Sequence, residues 1–374
     1  MTQIPFVDLK LQYLSIRNEI DTAIANVIRD TAFVNGKYVK LFEENFSAAH
    51  NAKHCIGVGN GTDAISIALK ALDIGVGDEV ITAANSFIAT SEAITTAGAR
   101  VVFVDCLPDT YNIDPSLIEG KITSLTKAII PVHLYGQPAD MDSIMEIAKK
   151  HGLYVLEDSA QSHIAEYNSE NEGWGKIGVF GDVSTFSFYP GKNLGAYGDA
   201  GAIVTNNDKV AKKARMFANH GRVSKYDHEF EGVNSRMDGI QGAILDIKLK
   251  YLAGWVEKRR EVANHYDKLL KDVPEIILPF VNTKSKHVYH LYVIRTPQRV
   301  ALKTFLGEKG VSTGVHYPIA LPNLSAYKYL EHSPDDFPNA SKFQNEYLSL
   351  PIFPELTLEQ IEYTVKMIKE FFKK

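Results

Sequence analysis

The chain has 374 residues, of which 45% are hydrophobic and 23% charged, the balance of a folded globular protein and not of a disordered or collagen-like one. At about 150 residues per domain, the length predicts two domains. A formal net charge of −5 lacks the basic footprint of a wholesale nucleic-acid binder, yet leaves room for a local anion site. Cys55 and Cys106 lie in apolar, strand-like surroundings and read as free thiols in a reducing cytoplasm, not as a disulfide framework. No charged stretch followed by an apolar run opens the sequence, so no signal peptide is expected; no apolar run approaches ~18 residues, so no membrane span is expected; no metal site is expected either.

In chain order, helical spacing appears at Ile16, Ile20, Ile24 and Val27, and again at Val39, Phe42 and Phe46. Short β-branched runs then alternate with helical stretches. Strands are predicted at 79–82, 100–104, 127–132 and 153–156, and helices at 62–72, 86–97 and 143–150. This is the pattern of a wound α/β sheet with mainly parallel strands, which binds ligands beyond the carboxyl ends of its strands. Two more strands are predicted at 183–188 and 202–205, with an exposed hairpin tip or loop at 167–175. One long helix is predicted from about 237 to about 270, its charge run Lys258-Arg259-Arg260-Glu261 a solvated face. A strand at 289–295, a helix at 302–309, a strand at 311–316 and a helix at 358–372 make a smaller α/β unit. The expected division is a large domain at 1–250 and a small one at 251–374.

Three strand ends carry chemistry. After Cys55-Ile56-Gly57-Val58, the chain enters Gly59-Asn60-Gly61-Thr62 and a helix. Small residues let backbone amides approach a ligand, and the helix dipole favours an anion there. The same residues also suit an ordinary turn capped by Thr62, and they complete neither a P-loop nor GxGxxG. Next, Val155-Leu156 runs into Glu157-Asp158-Ser159-Ala160-Gln161. Asp158 at the sheet edge needs a cationic or hydrogen-bonding partner, or else caps a helix. Third, Ser187-Phe188-Tyr189-Pro190-Gly191-Lys192-Asn193-Leu194-Gly195 sets a lysine in a small-residue loop among aromatics. Most lysines are simply solvated, but desolvation here would favour the neutral amine that a Schiff base requires. Together with an aromatic at Phe87, these groups match the parts of pyridoxal phosphate: lysine for the aldehyde, carboxylate for the ring nitrogen, amides and hydroxyls for the phosphate, an aromatic for the ring face.

The same segments, with Phe6-Val7-Asp8-Leu9, Asn85-Ser86-Phe87-Ile88-Ala89-Thr90 and Asn234-Ser235-Arg236-Met237, resemble the DegT/DnrJ/EryC1/StrS sugar aminotransferases nearly end to end. The resemblance implies the aspartate-aminotransferase (type I) fold and pyridoxal phosphate as cofactor. It implies Lys192 as the Schiff-base lysine, Asp158 on the pyridinium nitrogen, Gln161 on the ring hydroxyl and Phe87 over the ring. Gly61, Thr62 and Ser187 would hold the phosphate, joined by Asn234 from a second chain, which implies a homodimer. Arg236 would meet a carboxylate or a diphosphate, and His163, Tyr189, Tyr226, His316 and Tyr317 are candidates for sugar contacts.

The resemblance is strongest to enzymes that aminate carbon 3 of dTDP-linked 3-keto-6-deoxyhexoses, of gluco or galacto configuration, with glutamate as donor. It rests on residues 188–196, Pro131-Val132-His133-Leu134-Tyr135-Gly136-Gln137-Pro138 and Asn219-His220-Gly221-Arg222. A 4-keto-sugar aminotransferase of the same family is the nearest alternative, and a non-catalytic nucleotide-sugar-binding protein is another. Lys192 argues against the related 3-dehydratases, which carry histidine there. The acidic balance and the absence of a helix-turn-helix pattern argue against a DNA-binding regulator, and the incomplete fingerprint against a nicotinamide dehydrogenase.

Overall fold

The computed structural model describes residues 3–373. Asp8 caps the first helix, α1 (Leu9–Ser15), its carboxylate accepting the amides of Lys10 and Leu11, both at 3.0 Å. Helices α2 (Arg17–Arg29) and α3 (Gly36–Ala49) come next. Then come β1 (His54–Val58), α4 (Gly61–Ala71), β2 (Glu79–Ala83), α5 (Ile88–Thr96), β3 (Arg100–Val104), β4 (Thr126–Ile130), α6 (Met141–His151) and β5 (Tyr154–Asp158). A hairpin of β6 (Glu166–Ser169) and β7 (Gly173–Lys176) occupies the polar stretch expected as a loop or hairpin tip. Strands β8 (Val183–Ser187) and β9 (Gly201–Thr205), helix α7 (Asp208–Phe217) and a small hairpin of β10 (Arg222–Ser224) and β11 (Asp227–His228) complete this part.

The central sheet has the order β1-β9-β8-β5-β4-β2-β3. Strands β8, β5, β4, β2 and β3 pair in parallel, and β9 runs antiparallel to both β8 and β1. This is the expected α/β class with a mainly parallel sheet. Both faces are covered, so successive residues of each strand enter opposite cores. Val80, Ala128, Ile130 and Leu156 pack on the side of α4 and α5. Ile81, Ile129 and Val155 pack on the side of α3 and α6. Unbroken apolar runs in the sequence are the consequence of this double burial.

Where one long helix was expected, the chain forms α8 (Gly239–Leu249) and α9 (Leu252–Leu270). No Gly or Pro marks the break. The two helices bury faces on different partners, α8 on α3 and α9 on the C-terminal helix, and the apolar spacing continues through both. The remaining elements are the short β12 (Ser285–Lys286), β13 (Tyr292–Arg295), α10 (Arg299–Glu308), α11 (Pro338–Phe343), β14 (Tyr347–Leu350) and α12 (Leu358–Phe372). The strand expected at 311–316 is absent: Val311 and Gly314 make only single bridges, to Ile4 and Ser349. Strand β14, which the sequence reading missed, pairs antiparallel with β13 instead. It is four residues long and closes a separate core with Tyr266, Tyr292, Leu302 and Ile368. Among the described residues no helix is long and apolar enough to cross a membrane. Cys55 and Cys106 are buried and unpaired.

Candidate active site

The first wall of the site comes from the β1–α4 turn. An α-helix leaves its first four amides without intrahelical acceptors. Asn60, not Thr62, is the cap: its side chain accepts from the Asp63 amide at 2.8 Å, and its carbonyl from Ala64 at 3.1 Å. The amides of Gly61 and Thr62 are left over, and both residues line a cleft of about 710 Å³. The Ser235 hydroxyl accepts from the Gly59 amide at 3.0 Å and donates to Asp63 at 2.7 Å, bracing the turn from outside. A Cβ on Gly61 would stand 2.6 Å from Ser187 Cβ, so only glycine lets the helix start lie against the end of β8. Gly61→Ala is expected to cost about 1–3 kcal/mol of stability by overpacking and to weaken retention of pyridoxal phosphate. Thermal unfolding and cofactor titration read the two effects.

The second wall is the carboxyl end of β5. Asp158 is buried, its Oδ2 accepting from Thr90 Oγ1 at 2.7 Å and its Oδ1 from the Ala160 amide at 3.1 Å. Ser86 Oγ lies 3.0 Å from Thr90 Oγ1. A hydroxyl has one proton, so with Thr90 donating to Asp158, Ser86 donates to Thr90. Each carboxylate oxygen retains accepting capacity toward the cleft. Three residues on, the Gln161 Oε1 accepts from the Tyr135 amide at 2.7 Å, which fixes the orientation of the side-chain amide. Its Nε2 then donates to the Tyr317 hydroxyl at 3.2 Å.

Lys192 enters from the loop after β8. Its amide donates to the Tyr189 carbonyl at 2.8 Å, closing the turn. Gly195 is required because a Cβ there would lie 2.3 Å from the Pro190 carbonyl oxygen. The buried Lys248 ammonium donates to the Gly195 carbonyl and holds the loop from below. Lys192 Nζ itself makes no hydrogen bond or ion pair among the described residues. Burial pushes the amine down to about 8, against a smaller upward pull from the Asp158 carboxylate. Above them, Phe87 remains 51% exposed and leans on Tyr317, with ring centroids 5.5 Å apart.

Most of the expected site residues meet here: Gly61, Thr62, Phe87, Asp158, Gln161, Ser187, Tyr189, Lys192, His316 and Tyr317 all line the cleft. His163 does not. It is fully buried, its ring centroid 5.6 Å from those of Phe186 and Phe188 beneath the sheet, so the expected sugar contact is corrected to core packing. Tyr226 is 84% exposed on the β10–β11 hairpin, and exposed Asn234 and half-buried Arg236 also lie outside this chain's cleft lining. The charge run at 258–261 is corrected too. Arg259 is 4% exposed and lines the cleft with His290. Helical spacing contained the signal, because Arg259 falls on the buried stripe Leu252, Trp255, Val256, Val262, Ala263 of α9. Thr90 was missed as well, since only the tertiary fold brings a residue of α5 to Asp158.

An unpartnered low-pKa amine, a carboxylate with open lone pairs, a free amide pair at a helix start and an aromatic lid fit pyridoxal phosphate group by group. The fold and the cleft are those of a pyridoxal-phosphate-dependent aminotransferase. The sequence profile of the DegT/DnrJ/EryC1/StrS aminotransferase family matches residues 14–369, and the chain belongs to that family of sugar aminotransferases. It is 46% identical over 372 residues to a pleiotropic regulatory protein of Geobacillus stearothermophilus, covering 99% of both chains. It is 45% identical over 368 residues to the dTDP-3-amino-3,6-dideoxy-alpha-D-galactopyranose transaminase of Aneurinibacillus thermoaerophilus, covering 98% of this chain and 99% of the other. The crystal structure of Streptomyces venezuelae DesV in complex with a ketimine intermediate superposes with a TM-score of 0.97 at 40% identity, covering 100% of both chains.

Proposed function

We propose that this enzyme transfers an amino group from glutamate to carbon 3 of a dTDP-linked 3-keto-6-deoxyhexose, in two half-reactions at one site. The observation that carries the reading is the free amine of Lys192 in the same cleft as the buried Asp158 carboxylate. Bound pyridoxal phosphate supplies an electron sink for the negative charge left when a carbon loses its proton. Lys192 holds the cofactor in the resting enzyme. Once displaced, its Nζ takes the proton from the donor's α-carbon and later returns one to the sugar carbon. Asp158 keeps the ring nitrogen protonated, and Thr90 keeps Asp158 aimed. Gln161, anchored by Tyr135 and Tyr317, meets the ring hydroxyl. The amides of Gly61 and Thr62 and the Ser187 hydroxyl would hold the phosphate, and Phe87 would pack against the ring face. We take the chain as two domains, in which residues 1–250 would carry the cofactor groups and residues 251–374 would supply His290, His316 and Tyr317 to the same cleft.

We place the enzyme as a homodimer, with Asn234 of the partner subunit completing the phosphate site and Arg236 and Tyr226 working across the interface. Exposed Ile28, Phe33, Val34 and Leu41 around α2 and α3 supply apolar surface for such a contact. Tyr189, His316 and Tyr317 are the sugar-facing candidates that remain in this chain's cleft.

The test is amination of dTDP- and UDP-linked 3-keto and 4-keto sugars with glutamate, the product located by NMR. An amine at carbon 3 of the dTDP sugar supports the proposal, and product only from a 4-keto or UDP sugar replaces it. Titration of Lys192 is a second, independent measurement. With a value of about 8, about a tenth of the amines are neutral at pH 7, against a few in ten thousand at the ordinary lysine value. In cofactor-free protein, labelling of Lys192 by an amine-directed reagent is expected to rise about tenfold per pH unit and flatten above about 8. Exposed lysines keep climbing beyond that pH, and peptide mass spectrometry separates the two.

A further inference from the structure

The guanidinium of Arg259 is a buried cation that no carboxylate among the described residues bonds. Its NH1 donates to the carbonyls of Tyr289 at 3.1 Å, His290 at 3.4 Å and Ile352 at 3.0 Å. All three acceptors are uncharged. Its Nε has no acceptor, and it forms no ion pair among the described residues. The Glu355 carboxylate acts on it through space but makes no bond to it, and Glu355 Oε2 is itself buried without a partner among the described residues. Burial lowers the guanidinium to about 10, so it is still charged at neutral pH. Desolvating a cation that has no bonded counter-ion is costly, and an anionic ligand in the cleft would supply the missing partner.

Arg259 lines the same cleft as Lys192, and His290 lies within electrostatic reach of both. The His290 Nδ1 is buried and has no partner either. In the proposed function the cofactor phosphate is held by a different group of cleft residues, at the start of α4. Apolar Phe6, Val7 and Ile352 also line this cleft, and a polyanionic diphosphate is costlier to desolvate against them than a single carboxylate. One small planar anion attached to a molecule that must reach Lys192 fits best.

We propose that Arg259 and His290 form the receptor for a carboxylate of the amino donor. A guanidinium suits a carboxylate through paired hydrogen bonds, and a neutral imidazole adds one donor. This rests on the two-half-reaction reading, so each half is measured alone in single turnovers. Arg259→Met is expected to raise the half-saturating glutamate concentration about 10- to 150-fold, the range of a lost hydrogen bond to a charged group. The half-saturating keto-sugar concentration should stay within about twofold of wild type, a separation that general loss of structure would not produce. Because Arg259 also clamps three carbonyls, His290→Phe provides a second variant without that role, expected to weaken glutamate about 3- to 10-fold. Alanine and glutamine as donors identify which carboxylate is held. Equal loss for all donors assigns the α-carboxylate, and loss confined to glutamate assigns the side chain. If either folded variant keeps the wild-type glutamate dependence, or loses keto-sugar affinity instead, the assignment is overturned. A wild-type enzyme that failed to react with glutamate at all would instead overturn the proposed reaction.

Discussion

Lys192→Ala is expected to lower kcat for sugar amination by at least about 10⁴-fold, since both the covalent tether and the general base are removed. No neighbouring amine can substitute: Lys248, the other buried lysine nearby, is tied to the Gly195 carbonyl. The fold should survive, because Lys192 Nζ holds no internal bond. The variant should still take up pyridoxal phosphate, now removable by dialysis, and borohydride should no longer attach it to the chain. Linkage gives a further check on the cofactor-free wild type. A lysine with a folded value of about 8 and an unfolded value of about 10.4 binds more protons when unfolded between those limits. The Lys192 contribution to stability therefore increases as pH rises through that window, and the slope is absent in Lys192→Ala. Steady-state amination and unfolding between pH 7 and 10 measure these effects, and residual turnover near wild type would refute the assignment of the base.

Asp158→Asn carries the next largest effect. The substitution keeps an oxygen for Thr90 but removes the charge that would hold a proton on the ring nitrogen. A preorganised electrostatic group of this kind is worth about 10²–10³-fold in kcat, and its hydrogen bond to a cationic ring about 1.5–3 kcal/mol of cofactor affinity. The variant also reaches Lys192. Asp158 pulls the amine upward against burial, so without it the Lys192 titration should move below 8. A fall in kcat and a downward shift in the labelling midpoint together distinguish an electrostatic role from mere packing. Thr90→Val, which removes the 2.7 Å bond to Oδ2 together with the Ser86 contact behind it but leaves the carboxylate charge, should show a weaker version of both.

Strand ends were legible in the sequence because the sheet is buried on both faces. Most strands are therefore short, largely apolar runs, and the polar residues that close β5 and β8, Asp158 and Ser187, marked the carboxyl edge. The Lys192 loop was legible because Pro190, Gly191 and Gly195 satisfy backbone constraints that other residues violate. The misreadings share one cause. Arg259 and His163 are polar residues in places where most such residues are solvated, and their surroundings come from distant segments: residues 289 and 352 for one, Phe186 and Phe188 for the other.

Local order along the chain thus determined the α/β class, the family, the cofactor and most of the residues that line the cleft, because those depend largely on the few residues at and just past the end of a strand. Tertiary structure alone decided that Thr90 orients Asp158, that Tyr135 and Tyr317 orient Gln161, and that a cation from α9 reaches the cleft. Hydrogen bonds and burial between segments distant along the chain leave no periodic trace in the sequence of either segment. The charge that Arg259 brings to the cleft is visible only once α9 has been packed against β13 and the chain around Ile352.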